Sequence, residues 1–277
     1  MRRAVVVMVG AGAALAGAAA LVVRSRGAIP DDAKLGAPPG RPVSRLNTWT
    51  SRPAYRQVAD DLELGPDDAL LDVGCGWGGF LVEHGSRVRS VAGLDRSAEK
   101  VRLARERLAE RITEGTAEVV LGDAGALPWE ESRFSAVACI DAFQFFPDPV
   151  QALAEMRRVL RPGGRAEVNM GMKFPERAES RALPGSRSER PCDVRKPGDR
   201  IERIRSWTDP EVHRMMEAAG FEDVSISYDP VFGDSRLGNR LSRALSGTDE
   251  LRHVRGVKPL PVRPADDMRA EEPVAVG

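Results

Sequence analysis

The feature that most constrains this chain is Leu70-Leu71-Asp72-Val73-Gly74-Cys75-Gly76-Trp77-Gly78-Gly79, where an apolar run enters a turn holding four glycines and a helical pattern opens near Phe80. Glycines at such a turn let the backbone reverse sharply and approach a ligand with no Cβ atoms in the way. A glycine turn alone is weak, because many folds contain one. It gains weight when an acidic residue ends the next strand, since a carboxylate there can accept both hydroxyl hydrogens of a ribose. Asp95, closing Val91-Ala92-Gly93-Leu94, is such a residue, and Asp123 in Leu121-Gly122-Asp123-Ala124 ends a third strand pattern. A side chain at that third position can take the exocyclic amine of an adenine. Three carboxylates at successive strand ends point to one adenosine-containing ligand.

The pattern around the turn is alternating. Short apolar or β-branched runs at Ala69 to Val73, Val88 to Leu94, Glu118 to Leu121, Ala136 to Ile140, Arg165 to Met170 and Val224 to Tyr228 are separated by helical periodicity. This predicts an α/β fold, Rossmann-like and doubly wound, with a mostly parallel sheet of six to seven strands and an N-terminal hydrophobic helix. Ser97 is placed to cap a helix that turns Val101, Ala104, Leu108 and Ile112 to one face. Asp148-Pro149 opens another, with Val150, Leu153 and Leu160 inward and Pro162-Gly163-Gly164 as its stop. Thr208 and Glu211 have capping-box spacing ahead of Val212, Met215, Met216 and Ala219, and Gly220 ends that helix.

Composition narrows the classes of partner. The 41 basic and 41 acidic residues cancel, so no overall field draws the chain to nucleic acid. Cys75, Cys139 and Cys192 form no CxxC pair, and His84, His213 and His253 are far apart in sequence, so no metal site is expected.

Four further segments set the domain plan. Residues 1–26 contain Ala4 to Val23, twenty residues without a charge between Arg2-Arg3 and Arg24, enough to span a bilayer. The segment is read as a membrane anchor with a cleaved signal peptide as the rival. Its Gly10-Ala11-Gly12 fails as a dinucleotide loop, because Leu15 stands where the third small residue belongs. Residues 27–47 are a Pro/Gly/Ala tether, and 48–232 form the folded domain. Within it, residues 175–205 are a polar insertion, either a lid or a solvated loop. Residues 233–277 are a polar, partly disordered tail.

Residues 48 to about 230 resemble the class I S-adenosylmethionine-dependent methyltransferases, especially the small-molecule type-11 group. Asp72-Val73-Gly74-Cys75-Gly76-Trp77-Gly78 matches the family's first motif, whose backbone holds the methionine part of S-adenosyl-L-methionine. Asp95 matches its ribose-binding acid, with Arg96 beside it, and Gly122-Asp123-Ala124 its adenine-side motif. Leu127-Pro128 with Phe134, the strand through Asp141, and Leu160-Arg161-Pro162-Gly163-Gly164 resemble the later motifs in order. The resemblance implies cofactor contacts from Asp72, Gly74, Cys75, Gly76, Trp77, Gly78, Asp95, Arg96, Asp123, Ala124 and Asp141. It places the acceptor near Asp141, Gln144 and Phe145, and it supplies no catalytic side chain. Gly76-Trp77-Gly78-Gly79 is also similar to loops of enzymes that methylate lipids or sterols. Two departures stand out: Ser135 replaces an aspartate common in the family, and no clear seventh strand follows Tyr228.

Blander readings remain open beside these. Asp72 suits a turn, Asp95 and Asp123 suit helix caps, Trp77 suits a packed aromatic, and Asp141 to Phe145 suit a turn that only shapes a pocket. The expected function is methyl transfer to a small, lipid- or quinone-like acceptor. A non-catalytic adenosine-binding or membrane scaffold and an NAD-dependent oxidoreductase are the alternatives. Because the methyl donor is made in the cytoplasm, the domain is expected on the cytoplasmic side of a membrane, or free in the cytoplasm if residues 4–23 do not anchor it.

Overall fold

The computed structural model describes residues 54–170, 207–230 and 250–261, the backbone of 192–194 and 202–204, and isolated positions near 236–240. The hydrophobic segment 4–23 and the tether 27–47 lie outside the described residues. Among the described residues no helix is long and apolar enough to cross a membrane.

A helix over residues 54–61 (α1) leads into β1 (Ala69–Val73), the glycine turn and α2 (Gly79–His84). Then follow β2 (Ser90–Asp95), α3 (Ala98–Arg107), α4 (Ala109–Thr113), β3 (Ala117–Leu121), β4 (Phe134–Ile140), α5 (Pro149–Val159) and β5 (Leu160–Met170). The short strands β6 (Cys192–Val194) and β7 (Glu202–Ile204), both within the polar insertion, pair antiparallel. The chain closes with α6 (Asp209–Ala218), β8 (Glu222–Pro230) and β9 (Glu250–Val257).

The main sheet has seven strands in the order β3-β2-β1-β4-β5-β9-β8. Strands β1 to β5 are parallel, and β9 runs antiparallel between β5 and β8. All five residues of β1 are buried, as a central strand covered on both faces requires. Alternation sends Leu71 and Val73 into a core shared with Leu153, Met156 and Met216 of α5 and α6. Leu70 faces the other core, built with Val58 of α1, Phe80 of α2 and Val101 of α3. Helices therefore cover both faces, and the strand order reverses between β1 and β4. In open α/β sheets ligands bind at the carboxyl ends of the strands at that reversal.

Capping follows the sequence closely. Ser97 Oγ accepts the Lys100 amide at 3.5 Å, Asp148 Oδ1 accepts the Gln151 amide at 3.0 Å, and the Thr208/Glu211 capping box is formed. Several expectations need correction. The helix read as continuous through Ile112 breaks at Leu108, whose buried side chain joins α3 and α4. Val150 is 39% exposed, because Pro149, Ala152, Leu153, Met156 and Val159 form the inward stripe of α5 and Val150 lies one residue off it. Pro162-Gly163-Gly164 lies inside β5 after the helix has ended at Val159, at a register shift against β4.

The largest correction is the seventh strand. Residues 250–257, assigned to a polar tail, form β9 and insert into the sheet beside β5. It buries Arg252 and His253 among Leu251 and Val254, and leaves Arg255 and Val257 half-buried. Arg252 is held by Asp209 and the Trp207 carbonyl, and His253 by Glu167, so polar side chains occupy positions that normally read as apolar. Ser135 also finds a structural role, since its Oγ accepts the Ala69 amide at 2.9 Å and donates to buried Asp68 at 2.5 Å.

His84 ends α2 at 4% exposure, beside Phe80, with neither ring nitrogen hydrogen-bonded. Burial, assisted by the positive charge of Arg87, pushes its pKa down from 6.5 to about 4. Between those values the unfolded chain binds a proton that the folded one refuses, so stability is lost as pH falls through that window. We expect a loss on the order of 2 kcal/mol between pH 7 and pH 4 from this residue. Urea titrations across that range should show His84→Phe lacking this share of the acid slope.

Candidate cofactor and acceptor site

The candidate site is built where the turn after β1 meets the end of β2 and the turn after β4. Gly74 and Cys75 both donate their amides to the Leu94 carbonyl, at 2.7 and 2.9 Å, and the Gly78 amide donates to the Cys75 carbonyl at 2.9 Å. The Gly76 amide donates to Asp95 Oδ2 at 2.9 Å, while Asp95 Oδ1 accepts the Ser97 amide at 2.9 Å. Asp95 therefore fastens the glycine turn to the end of β2 and the start of α3. The cap proper comes from Ser97, so Asp95 is more than a helix cap. Lys100 Nζ lies 3.8 Å from Asp95 Oδ2, and each carboxylate oxygen retains capacity for another donor.

The glycines do different work. A Cβ on Gly74 would collide with the Ala142 side chain of the turn after β4, so that glycine allows two loops to pack together. A Cβ on Gly76 would meet nothing within 4 Å, and its φ of +54° is left-handed. Gly76 thus borders open space at the reversal of strand order. A Cβ on Gly78, whose φ is +72°, would lie 3.3 Å from the Ala104 side chain of α3. Trp77 is half-buried, and its carbonyl accepts from the Arg107 guanidinium.

Asp72 is buried at the end of β1, and its Oδ1 has no hydrogen-bond partner. It caps no turn. Burial first, and the charge of Asp95 second, push its carboxyl up from 3.8 to about 8. An orphaned buried carboxylate beside open space is the arrangement expected where a cationic ligand group belongs. Asp72, Asp95 and the space at Gly76 therefore fit a ligand with a cationic end and vicinal hydroxyls.

Other expected site residues are placed less directly. The Cys75 side chain is buried and points toward Gly93 and Leu81, so only its backbone belongs to the turn surface, and burial pushes its thiol well up. Asp123 is exposed after β3 and accepts the Gly125 amide at 2.7 Å, whereas Ala124 is in the core. Arg96 is exposed beside Asp95.

Asp141, the residue after β4, has φ of +52°, a left-handed conformation uncommon for a non-glycine residue. Its amide donates to the Asn169 carbonyl, and its Oδ1 accepts from Gln144 Nε2 at 2.7 Å. Gln144 is 9% exposed, and its Oε1 is buried without a partner. Phe145 is half-buried in the same 3-10 turn.

Sequence reasoning missed the residues that wall this region. Tyr55 of α1 brings its hydroxyl to 2.9 Å from where a Gly79 Cβ would sit. Phe146 and Trp207 flank Phe143, with ring centroids 5.8 and 5.1 Å away. The Phe-Gln-Phe-Phe run and the tryptophan before Thr208 were visible in the sequence, but nothing local says that they meet.

Comparison with known proteins agrees with this geometry. Residues 71–168, from β1 to β5, match the family described as "Methyltransferase domain". The chain is 37% identical over 150 residues to an uncharacterized 37.1 kDa protein in transposon TN4556 of Streptomyces fradiae, an alignment covering 50% of this chain and 43% of that one. It is 38% identical over 113 residues to a demethylmenaquinone methyltransferase of Deinococcus radiodurans, covering 38% and 43%. It thus spans less than half the length of either relative. A SAM dependent methyltransferase from Aquifex aeolicus shares the fold with a TM-score of 0.51 at 18% identity, over 74% of this chain and 89% of that one. Residues 71–168 therefore match a methyltransferase domain, and the sheet around them has the fold of a SAM dependent methyltransferase.

The two glycines give opposite expectations. Gly74→Ala should lower the melting temperature markedly, because the collision with Ala142 forces two loops apart. Gly76→Ala should cost only about 1–2 kcal/mol of backbone strain and keep the fold, as circular dichroism and thermal melts can establish.

Proposed function

We propose that the protein transfers the methyl group of S-adenosyl-L-methionine to a small, lipid- or quinone-like acceptor. The observation that carries this reading is the orphaned Asp72 carboxylate beside the Asp95-fastened glycine turn, opening onto the strand-order reversal. In this reading Asp72 faces the cationic amino end of the methionine part, and Gly74 to Gly78 shape the surface it lies on. Asp95 accepts from the ribose hydroxyls, with Arg96 alongside, while Asp123 and Ala124 border the adenine.

When bound, the cofactor supplies an electrophilic methyl group on a sulfonium. Displacement at that carbon is in line, so the protein's task is to hold the acceptor in near-attack geometry and keep water out. Asp141, Gln144 and Phe145 are assigned to the acceptor side. The buried Gln144 Oε1 offers an acceptor for one polar hydrogen of the substrate, and Phe146 and Trp207 offer an apolar wall. Substrate recognition by a few polar groups within an apolar aromatic surface suits a ring-containing lipid better than a charged metabolite. Similarity to the Deinococcus demethylmenaquinone methyltransferase supports the same class of acceptor.

Residues 4–23 are assigned as a membrane anchor with the domain on the cytoplasmic side. Such an anchor would bring the domain to acceptors dissolved in the bilayer. Cell fractionation with and without residues 1–26 tests it: the full chain is expected with the membranes, and a soluble full chain overturns the anchor.

Binding should release a proton. With its carboxyl raised to about 8, Asp72 is protonated near pH 7, and a cationic group brought beside it would favour its charged form. Calorimetric titration with S-adenosylmethionine at pH 7 in two buffers of different ionisation enthalpy should report net release, and Asp72→Asn should abolish it. Gly76→Val, folded but blocking the open space, should bind at least tenfold more weakly. The function itself is tested by incubating the protein and methyl-labelled cofactor with a membrane lipid extract. Label in an extractable lipid is expected; saturable binding of NAD instead of S-adenosylmethionine, or binding without label transfer to any extract, overturns the reading.

A further inference from the structure

Outside the cofactor and acceptor site, four ionisable side chains converge beneath the C-terminal end of α1. They are Glu167 of β5, Asp229 of β8, His253 of β9 and Asp61 at the end of α1. Glu167 and His253 are fully buried, and Glu167 Oε1 lies 2.6 Å from His253 Nδ1. In the neutral ring that donates its Nδ1–H to Glu167, the lone pair falls on Nε2. Nε2 faces Asp229 Oδ2 at 3.5 Å, and one ligand atom each from Asp61, Asp229 and His253 lie within 4.8 Å of one another.

A lone pair aimed at carboxylate oxygens is repulsive unless something positive lies between them. Arg255 and Gln57 occupy Asp61 Oδ1, at 3.3 and 3.1 Å, but Asp61 Oδ2 is buried without a partner. So is Glu167 Oε2. Asn169 Nδ2 lies 3.2 Å from Nε2 and 3.5 Å from Nδ1, so its amide is shared between the two ring nitrogens and supplies no full positive charge toward Asp229 or Asp61. A proton on Nε2 would answer Asp229 but would leave Asp61 Oδ2 unsatisfied.

We propose that Asp61, Asp229 and His253 form a binding site for a divalent cation of the zinc type, with Glu167 as the carboxylate that orients His253. One imidazole nitrogen and two carboxylate oxygens are a donor set that such borderline cations accept. A carboxylate behind the histidine fixes the tautomer and raises ligand basicity, the usual outer arrangement of metal-bound histidine. Tetrahedral ligand atoms with bonds of about 2.0–2.1 Å stand roughly 3.3 Å apart, so the three must draw together on binding. Asp229, whose side chain is 36% exposed, has the freedom to do so and gives the ion a way in. The bound ion would clip α1 to β8 and β9 and add its binding free energy to the stability of the sheet's far edge.

The test uses the full chain, treated with a chelator and then dialysed free of it. Titration with Zn2+ by calorimetry should show one saturable site and a raised melting temperature, and Co2+ should give visible absorption bands of a low-coordinate site. Asp229→Asn changes a partly exposed residue and should weaken Zn2+ binding more than tenfold while leaving the far-ultraviolet circular dichroism unchanged. Glu167→Gln, which touches no metal in this arrangement, should weaken it about 10–100-fold. Absence of saturable Zn2+ or Co2+ uptake at millimolar concentration overturns the proposal, as does uptake that Asp229→Asn leaves unchanged. Neither outcome bears on methyl transfer, which the lipid-extract experiment measures separately.

Discussion

The carboxyl edge of the sheet depends on the Asp95 carboxylate. By accepting the amides of Gly76 and Ser97, it joins the turn after β1, the end of β2 and the start of α3 at one point. Charge-assisted hydrogen bonds of this kind are stronger than neutral ones, and here they hold a segment whose glycines would otherwise leave it loosely defined. The Leu94 carbonyl, accepting from both Gly74 and Cys75, completes the fastening. With the turn fixed against β2, Gly74 can pack against Ala142, and the two loops at the strand-order reversal take their relative positions.

That arrangement leaves polarity where a ligand needs it. The loop amides of Gly74, Cys75, Gly76 and Gly78 are satisfied within the protein, so they shape the surface more than they bind through it. The uncompensated groups are the Asp72 carboxylate and the Gln144 amide oxygen, one on each side of the reversal. Buried polar atoms without partners are uncommon because each costs desolvation free energy. Their occurrence at the ends of β1 and β4, next to the strained Asp141, concentrates that cost at the candidate site.

The other half of the sheet is held together differently. There β9 carries arginines and a histidine into the interior, and each is matched: Arg252 by Asp209, His253 by Glu167, Arg255 by Asp61. Tyr228 donates to the same Asp209 carboxylate, linking β8 to α6. Buried polar pairs such as Glu167 with His253 add little net stability but are strongly destabilising when one partner is lost. They also specify register, because a strand displaced by one residue would take these side chains away from their partners.

The sequence by itself determined the elements whose information is local. The β1 run, the glycine turn, Asp95 at the end of β2, and the caps at Ser97, Asp148 and Thr208 were readable because apolar periodicity and capping chemistry act within a few residues. The match to a methyltransferase domain, over residues 71–168, covers all of these but the cap at Thr208. Tertiary structure alone decided the seventh strand, the division of labour between Gly74 and Gly76, the aromatic wall of Phe143, Phe146 and Trp207, and the grouping of Asp61, Asp229 and His253. In β9 the polar residues are buried by partners far away in the chain, so the alternation that marks a half-buried strand is hidden. Gly74 and Gly76 look alike in sequence, and only the arrival of Ala142 from β4 makes one a packing contact and leaves the other facing open space. Long-range pairing carries no local signature, since the free energy that selects it comes from desolvation and contact made only once the sheet has formed.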